Sequence, residues 1–427
     1  MFIQNFKSDK LNFWILYYLV LGILQALWTN LSAFPPMPLR LAMLIAMFYP
    51  AFNRKELVLF AVPYAFLLRG QLSTAYSFLP DVFSYGFYIG IIILLIIKHR
   101  SSLLFANISH SKSLLRLVLF FGIVDLAFTG SIGCYTTHLF IGLLLLPFFS
   151  SEKDLHVLSA SLVLSCVFLS IYYLIMFDSF MSSWGSTGLE RSGWKDPNYF
   201  STLLDMGFVI SLVYLFKIKK SELIILDRKF LAVGMCFIAT AVALTASRAG
   251  FICLGVCLFI SLFFCRIRIR HLILALIVIA GATYYMYTIG VFDVLIWRLT
   301  EQGNMDTGGD RTTIWKVMLD NHSKQPFFKQ IIGGGYWHRA ELTGGIDVHN
   351  EFLSVFADYG YIGEVLFIGL TLSMCRFSQP LIQNNIVVLF FFLSIFSLSP
   401  LQYINIVFLI IWIISSRWLE TNKLPIH

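Results

Sequence analysis

Four side chains in this sequence have the chemistry to hold an anion or move a proton: Arg191, Arg248, Arg311 and His349. Arg248 stands in Ser247-Arg248-Ala249-Gly250, which is nearly the whole turn between two apolar runs. An arginine so close to hydrocarbon is costly unless it snorkels to the interface or meets an anion, and both readings stay open. Arg191 precedes Asp196-Pro197-Asn198. There Asp196 fits a helix N-cap and Pro197 the first helical position, so that segment also explains itself as a helix start. His349-Asn350 stands directly ahead of an apolar run containing Asp358, Gly360, Gly363 and Glu364. A histidine at a helix start serves as a cap or an interfacial residue as readily as a base. His322 and His338 share its loop, but no HExxH or close ligand pair accompanies them, so no metal site is expected. Asp125, His138 and Asp205 fall inside apolar runs, where ionisable groups mark a functional interior or pair structurally, as Asp205 could with Arg248.

The elements that must position these residues are membrane helices. The 427 residues are 58% hydrophobic and 13% charged, against about 25% charged in a soluble domain. Runs such as 91–97 and 386–395 are continuously apolar, which excludes open sheets and argues against the alternation of a transmembrane barrel. Candidate spans lie at about 11–28, 39–52, 56–68, 82–97, 114–129, 132–149, 155–177, 199–216, 230–246, 249–265, 272–289, 350–375, 386–399 and 402–417. The fold expected is therefore all-α, a polytopic transmembrane bundle of about 12 to 14 spans forming a single integral membrane domain over 1–427. The second and third spans are short enough to form one hairpin that does not fully cross. The first run is too long for a signal-peptide core and lacks an A-x-A site, so it is expected to stay as a span.

Counting basic residues in alternate short loops puts about 20 on one side and about 5 on the other. The richer side is cytoplasmic and holds both termini. The net charge of +8 is thereby accounted for by topology, and nucleic acid is not needed as a partner. Arg191, Arg248, Arg311 and His349 then share the extracytoplasmic face. Two long connections lie there, 178–198 and 290–349. In the second, Asp310 can cap a helix from Arg311 to about His322, whose Ile314, Trp315, Met318 and Leu319 form a stripe that could lie on the membrane or roof the bundle. Pro326 and then Gly333-Gly334-Gly335 end it. The seven cysteines sit in or beside apolar runs without a CxxC pair, as small packing residues.

Taken in order, several segments resemble the O-antigen polymerase and O-antigen ligase superfamily of bacterial envelope glycan enzymes. They are Asp196-Pro197-Asn198-Tyr199; Leu244 to Gly250 with its Ser-Arg turn; Asp310-Arg311 with Trp315, Pro326 and Gly333-Gly334-Gly335; and His349-Asn350 with Leu353, Asp358, Gly360 and Gly363. Together they cover roughly 190–375. The resemblance implies transfer of a glycan from undecaprenyl pyrophosphate on the periplasmic face of the inner membrane, without nucleotide sugar, metal or other cofactor. Arg191 and Arg248 would then grip the pyrophosphate as planar forks, with Arg311 a third cation. His349 would be the general base, and Asp196, Asn198, Asn350 and Asp358 would support the site. Direct displacement would invert the anomeric centre.

The implied partners are the lipid-linked oligosaccharide, membrane lipids and a polysaccharide chain-length regulator. Between polymerase and ligase, the 42 phenylalanines, with many Ile, Asn and Lys, suggest an A/T-rich gene of the kind found in surface-polysaccharide clusters and favour the polymerase. A ligase would pass the chain to lipid A core instead. A flippase for lipid-linked sugars is also polytopic and cation-lined, but the two related halves typical of transporters are not visible.

Overall fold

The computed structural model describes residues 13–24, 37–71, 81–99, 111–148, 152–175, 197–217, 228–245 and 311–374, with scattered positions between 247 and 288. Among these residues the secondary structure is helical throughout and contains no strand. The helices are α1 (Phe13–Leu24), α2 (Met37–Asn53), α3 (Val58–Gln71), α4 (Asp81–Lys98), α5 (Ser111–Thr129), α6 (Cys134–Leu145), α7 (Glu152–Ile175), α8 (Pro197–Lys217), α9 (Arg228–Leu244), α10 (Arg311–Ser323), α11 (Phe327–Ile332), α12 (His338–Thr343) and α13 (Glu351–Met374). Each of α1 to α9 falls on an expected apolar run. The expected runs at 386–399 and 402–417, and most of those at 249–265 and 272–289, lie outside the described residues, as do 290–310 with Asp310.

Both faces of these helices are apolar, which is the signature of a lipid solvent. Leu119, Ile123 and Leu126 form an exposed stripe at helical spacing on α5, as do Leu41, Ile45 and Tyr49 on α2. In water such stripes would be interaction patches, whereas in hydrocarbon they cost nothing. The interior is held by close approach and by hydroxyls turned onto backbone. Gly207 of α8 lies against Cys166 of α7, and Gly234 of α9 against Val167, where any larger residue would collide. Ser161 donates to the Phe60 carbonyl at 2.8 Å and ties α7 to α3. Tyr64 of α3 donates to the Tyr18 carbonyl of α1 at 2.8 Å. Cys134, Cys166, Cys236 and Cys253 are free thiols. Helices α2 and α3 pack on each other across the short turn at Arg54 to Leu57, as a hairpin.

The largest departure from the sequence reading is α13. The expected single span at 350–375 is broken into two arms, 351–359 and 361–374, by a kink at Gly360, whose φ of 63° and ψ of −165° are not helical. In a straight helix Phe352 and Phe367 would lie about 22 Å apart. Their ring centroids are 5.4 Å apart. Glu351 and Glu364, thirteen positions apart, also come within electrostatic range. Gly363 touches the Tyr359 Cβ across the kink, where a side chain would not fit. By length and composition Glu351–Thr371 passes for one membrane helix. The ring contact shows that the helix is sharply bent at Gly360.

Helix α10 starts at Arg311 and ends at Ser323, close to the expected bounds, and α11 follows Pro326 directly. The stripe on α10 packs on α12 and α13: Met318 is buried, and with Trp315 it meets Leu342, Val348 and Ala357, while Leu319 stays exposed. The short helices α11 and α12 were not individually foreseen.

Candidate functional site

The break at Gly360 builds the site. Because the first arm of α13 stops there, its last carbonyls have no helical partner. The Asp358 carbonyl instead accepts from the Gly334 and Gly335 amides, at 3.1 and 2.9 Å. Gly333, at φ 81°, runs so close to the Asp358 carbonyl that a Cβ would overlap it, and a Cβ on Gly360 would come to 2.6 Å from the carbonyls of Gln330 and Ile331. Gly333-Gly334-Gly335 and Gly360 are thus two halves of one backbone contact, which only glycine permits.

That contact aims the next residues at the Asp358 side chain, which is fully buried. Its carboxylate accepts from the Arg339 amide at 2.8 Å and the Trp337 amide at 3.2 Å, and pairs with the Arg339 guanidinium. Trp337 takes a left-handed backbone, φ 72°, and its indole lies over the guanidinium at 4.4 Å. Tyr135 and Tyr336 flank the same cation, each at 5.6 Å. Burial works against the Arg339 charge, but Asp358, Tyr135, Asp347 and Tyr336 outweigh it and hold its pKa well above the ordinary arginine value.

Arg339 reaches a second carboxylate as well. Its Nε donates to Asp347 Oδ1 at 3.3 Å. The other oxygen, Asp347 Oδ2, lies 3.6 Å from His349 Nδ1, an ion-pair distance when the ring is protonated. A continuous chain therefore runs from Asp358 through Arg339 and Asp347 to His349. His349 is about one-quarter exposed and holds a left-handed backbone at φ 52°. Asn350, expected as a supporting residue, caps α13: its Oδ1 accepts from the Leu353 amide at 3.1 Å. Arg311 opens α10 one turn before Trp315, whose indole nitrogen donates to the Val348 carbonyl at 2.8 Å. The start of α10 is held in this way against the residue preceding His349.

Asp125 fastens this assembly to the bundle. Its Oδ2 accepts from the Gly133 amide at 2.9 Å and the Thr136 hydroxyl at 2.7 Å. Its Oδ1 accepts from the Tyr336 amide at 2.8 Å and the Tyr359 hydroxyl at 3.1 Å. With four donors on two oxygens it is a structural tie between α5, α6, the glycine loop and α13. His138 contacts the Cys134 sulfur at 3.1 Å. Asp205 is buried beside Gly250, and its carboxylate has no hydrogen-bond partner among the described residues.

Of the sequence candidates, His349 and Asp358 are joined by this chain of contacts, Asn350 caps α13 between them, and Arg311 opens the helix whose Trp315 holds Val348. Asn198 lies in the first turn of α8. Arg191, Asp196 and Arg248 lie outside the described residues. Arg339 and Asp347 were missed as site residues; the signal available was an acid two positions before His349. Among the described residues no three His, Cys, Asp or Glu side chains gather as a metal site.

Residues 233–368 match the family model described as O-antigen ligase. That segment is similar to the O-antigen polymerase and ligase superfamily. This superfamily is membrane-integral in the bacterial envelope, glycosyltransferase-like, and acts on lipid-linked glycans. The matched O-antigen ligase segment spans α10 to α12 and most of α13, and it includes Arg248, Arg311, Arg339, Asp347 and His349. No curated protein and no solved structure matches the chain significantly.

Proposed function

We propose that this chain is an O-antigen polymerase that transfers a glycan from undecaprenyl pyrophosphate to a sugar hydroxyl of another lipid-linked repeat unit. The supporting observation is the chain Asp358, Arg339, Asp347, His349 at the break in α13, inside the matched segment of an apolar helical protein. In this reading the acceptor hydroxyl gives its proton to His349. Its oxygen bonds the anomeric carbon as the bond from that carbon to the pyrophosphate breaks. The lipid pyrophosphate leaves with that electron pair, its charge met by Arg191, Arg248 and Arg311. Attack opposite the departing group inverts the centre. The inner membrane is the location, with both termini in the cytoplasm, the site on the periplasmic face, and 290–349 as the loop that carries it. Membrane lipids and a chain-length regulator are the remaining partners.

A ligase, handing the chain to lipid A core, is the second reading, favoured by the description of the matching family. Deletion in the native host followed by a lipopolysaccharide gel separates the two. Loss of a polymerase leaves core capped by single repeat units, while loss of a ligase leaves no O-antigen. An unchanged ladder would contradict both.

A further inference from the structure

The geometry points to Asp347 as the positioning residue that fixes the tautomer of His349, with Arg339 holding Asp347 in place from behind. This inference rests on the assignment of His349 as base and adds how that base is aimed. Three observations carry it. Asp347 Oδ2 faces His349 Nδ1 at 3.6 Å, so a proton on Nδ1 is the one the carboxylate favours, leaving the lone pair on Nε2 for the acceptor hydroxyl. Asp347 is itself anchored: Oδ1 takes Arg339 Nε at 3.3 Å and the Val348 amide at 3.0 Å. Arg339 is fully buried against Asp358, so the anchor cannot swing away.

The third observation is backbone strain. A left-handed φ is uncommon at a histidine and persists only where the surroundings over-determine it. Here they do: the Val348 carbonyl is held by Trp315, the Val348 amide by Asp347, and the Asn350 side chain by the helix it caps. The strained position turns the imidazole toward Asp347 and away from the helix start. The charged groups in line with the ring are Asp347 beside it and Arg339 and Asp358 behind; Glu351 and Arg311 open the neighbouring helices α13 and α10.

Asp347→Asn tests the idea with little disturbance, because an amide oxygen can still accept from Arg339 and Val348 through the same position. Only the side facing His349 changes: an amide N–H now points at Nδ1, which places the imidazole proton on Nε2 and removes the base. Turnover of lipid-pyrophosphate glycan is expected to fall about 10- to 1,000-fold, within what general-base assistance supplies. The pH at which residual activity is half-maximal moves down, since the neighbouring carboxylate that favours imidazolium is gone. Asp347→Glu keeps the charge and brings the midpoint back toward wild type.

An NMR titration of histidine-labelled full-length protein in detergent, with the His349 signal assigned by its loss in His349→Gln, reads the same midpoint without any turnover. A lower His349 midpoint in Asp347→Asn supports the inference even if the wild type proves to transfer no glycan, in which case it is the proposed function that fails. An unmoved midpoint overturns it, whether or not turnover falls, because a fall in turnover alone marks a purely structural residue.

Discussion

Arg339 shows how a single side chain can organise a site that its sequence neighbours do not announce. It stands eight positions before Asp347 and nineteen before Asp358, and its own helix, α12, ends at Thr343 before reaching either. His349, Asn350 and Asp358 could be singled out because each type in that order suggests a role; Arg339 and Asp347 could not, because their pairing exists only after the chain turns at Gly344 and Gly345 beyond α12. His322 and His338 are the other histidines of this region. Burial, and the closeness of His338, lower the His322 pKa below its ordinary 6.5, and burial lowers that of His338 despite Glu341 at 2.9 Å. The unfolded chain therefore takes up protons first as pH falls below about 6.5, so folded stability declines over that window. Thermal unfolding in detergent followed from pH 7.5 to 5 should show this decline, and His322→Gln with His338→Gln should flatten it. An identical pH slope in the double variant would mean that these rings are not buried neutral.

At the scale of elements, the helices α1 to α9 were readable because apolar run length is a direct consequence of bilayer thickness. The kink in α13 was not, since both arms are apolar and the break is one residue long. Gly360 and Gly363 were visible as a motif, and only the structure gives their reason: one takes a left-handed turn beside the Ile331 carbonyl, the other lets Tyr359 pass. Gly360→Ala must therefore pay for a positive φ of about 1–2 kcal/mol and for a Cβ in contact with two carbonyls. The expected outcome is a Tm drop together with loss of activity, whereas Gly369→Ala, whose Cβ meets nothing within 4 Å, should leave both unchanged. Equal Tm values for the two variants would contradict a close-packed kink at Gly360. The kink also sets the height of the site. Phe352, three residues after His349, contacts Phe367, which lies about 10 Å along the second arm from the kink.

At the scale of the whole molecule, the charge asymmetry of the loops and the convergence of site residues make linked demands. Reporter fusions within 217–229 should read as cytoplasmic and fusions within 300–343 as periplasmic; a cytoplasmic result for the second would remove the functional reading. The central claim is that His349 is the base for glycan transfer from a lipid pyrophosphate, and purified protein in proteoliposomes with a lipid-pyrophosphate glycan donor tests it most directly. The account predicts elongation in the presence of EDTA, a loss of about 100- to 10,000-fold in His349→Ala with donor binding retained, and much smaller losses in His322→Ala and His338→Ala. Wild-type turnover in His349→Ala, or abolition by EDTA with rescue by a divalent ion, would contradict it.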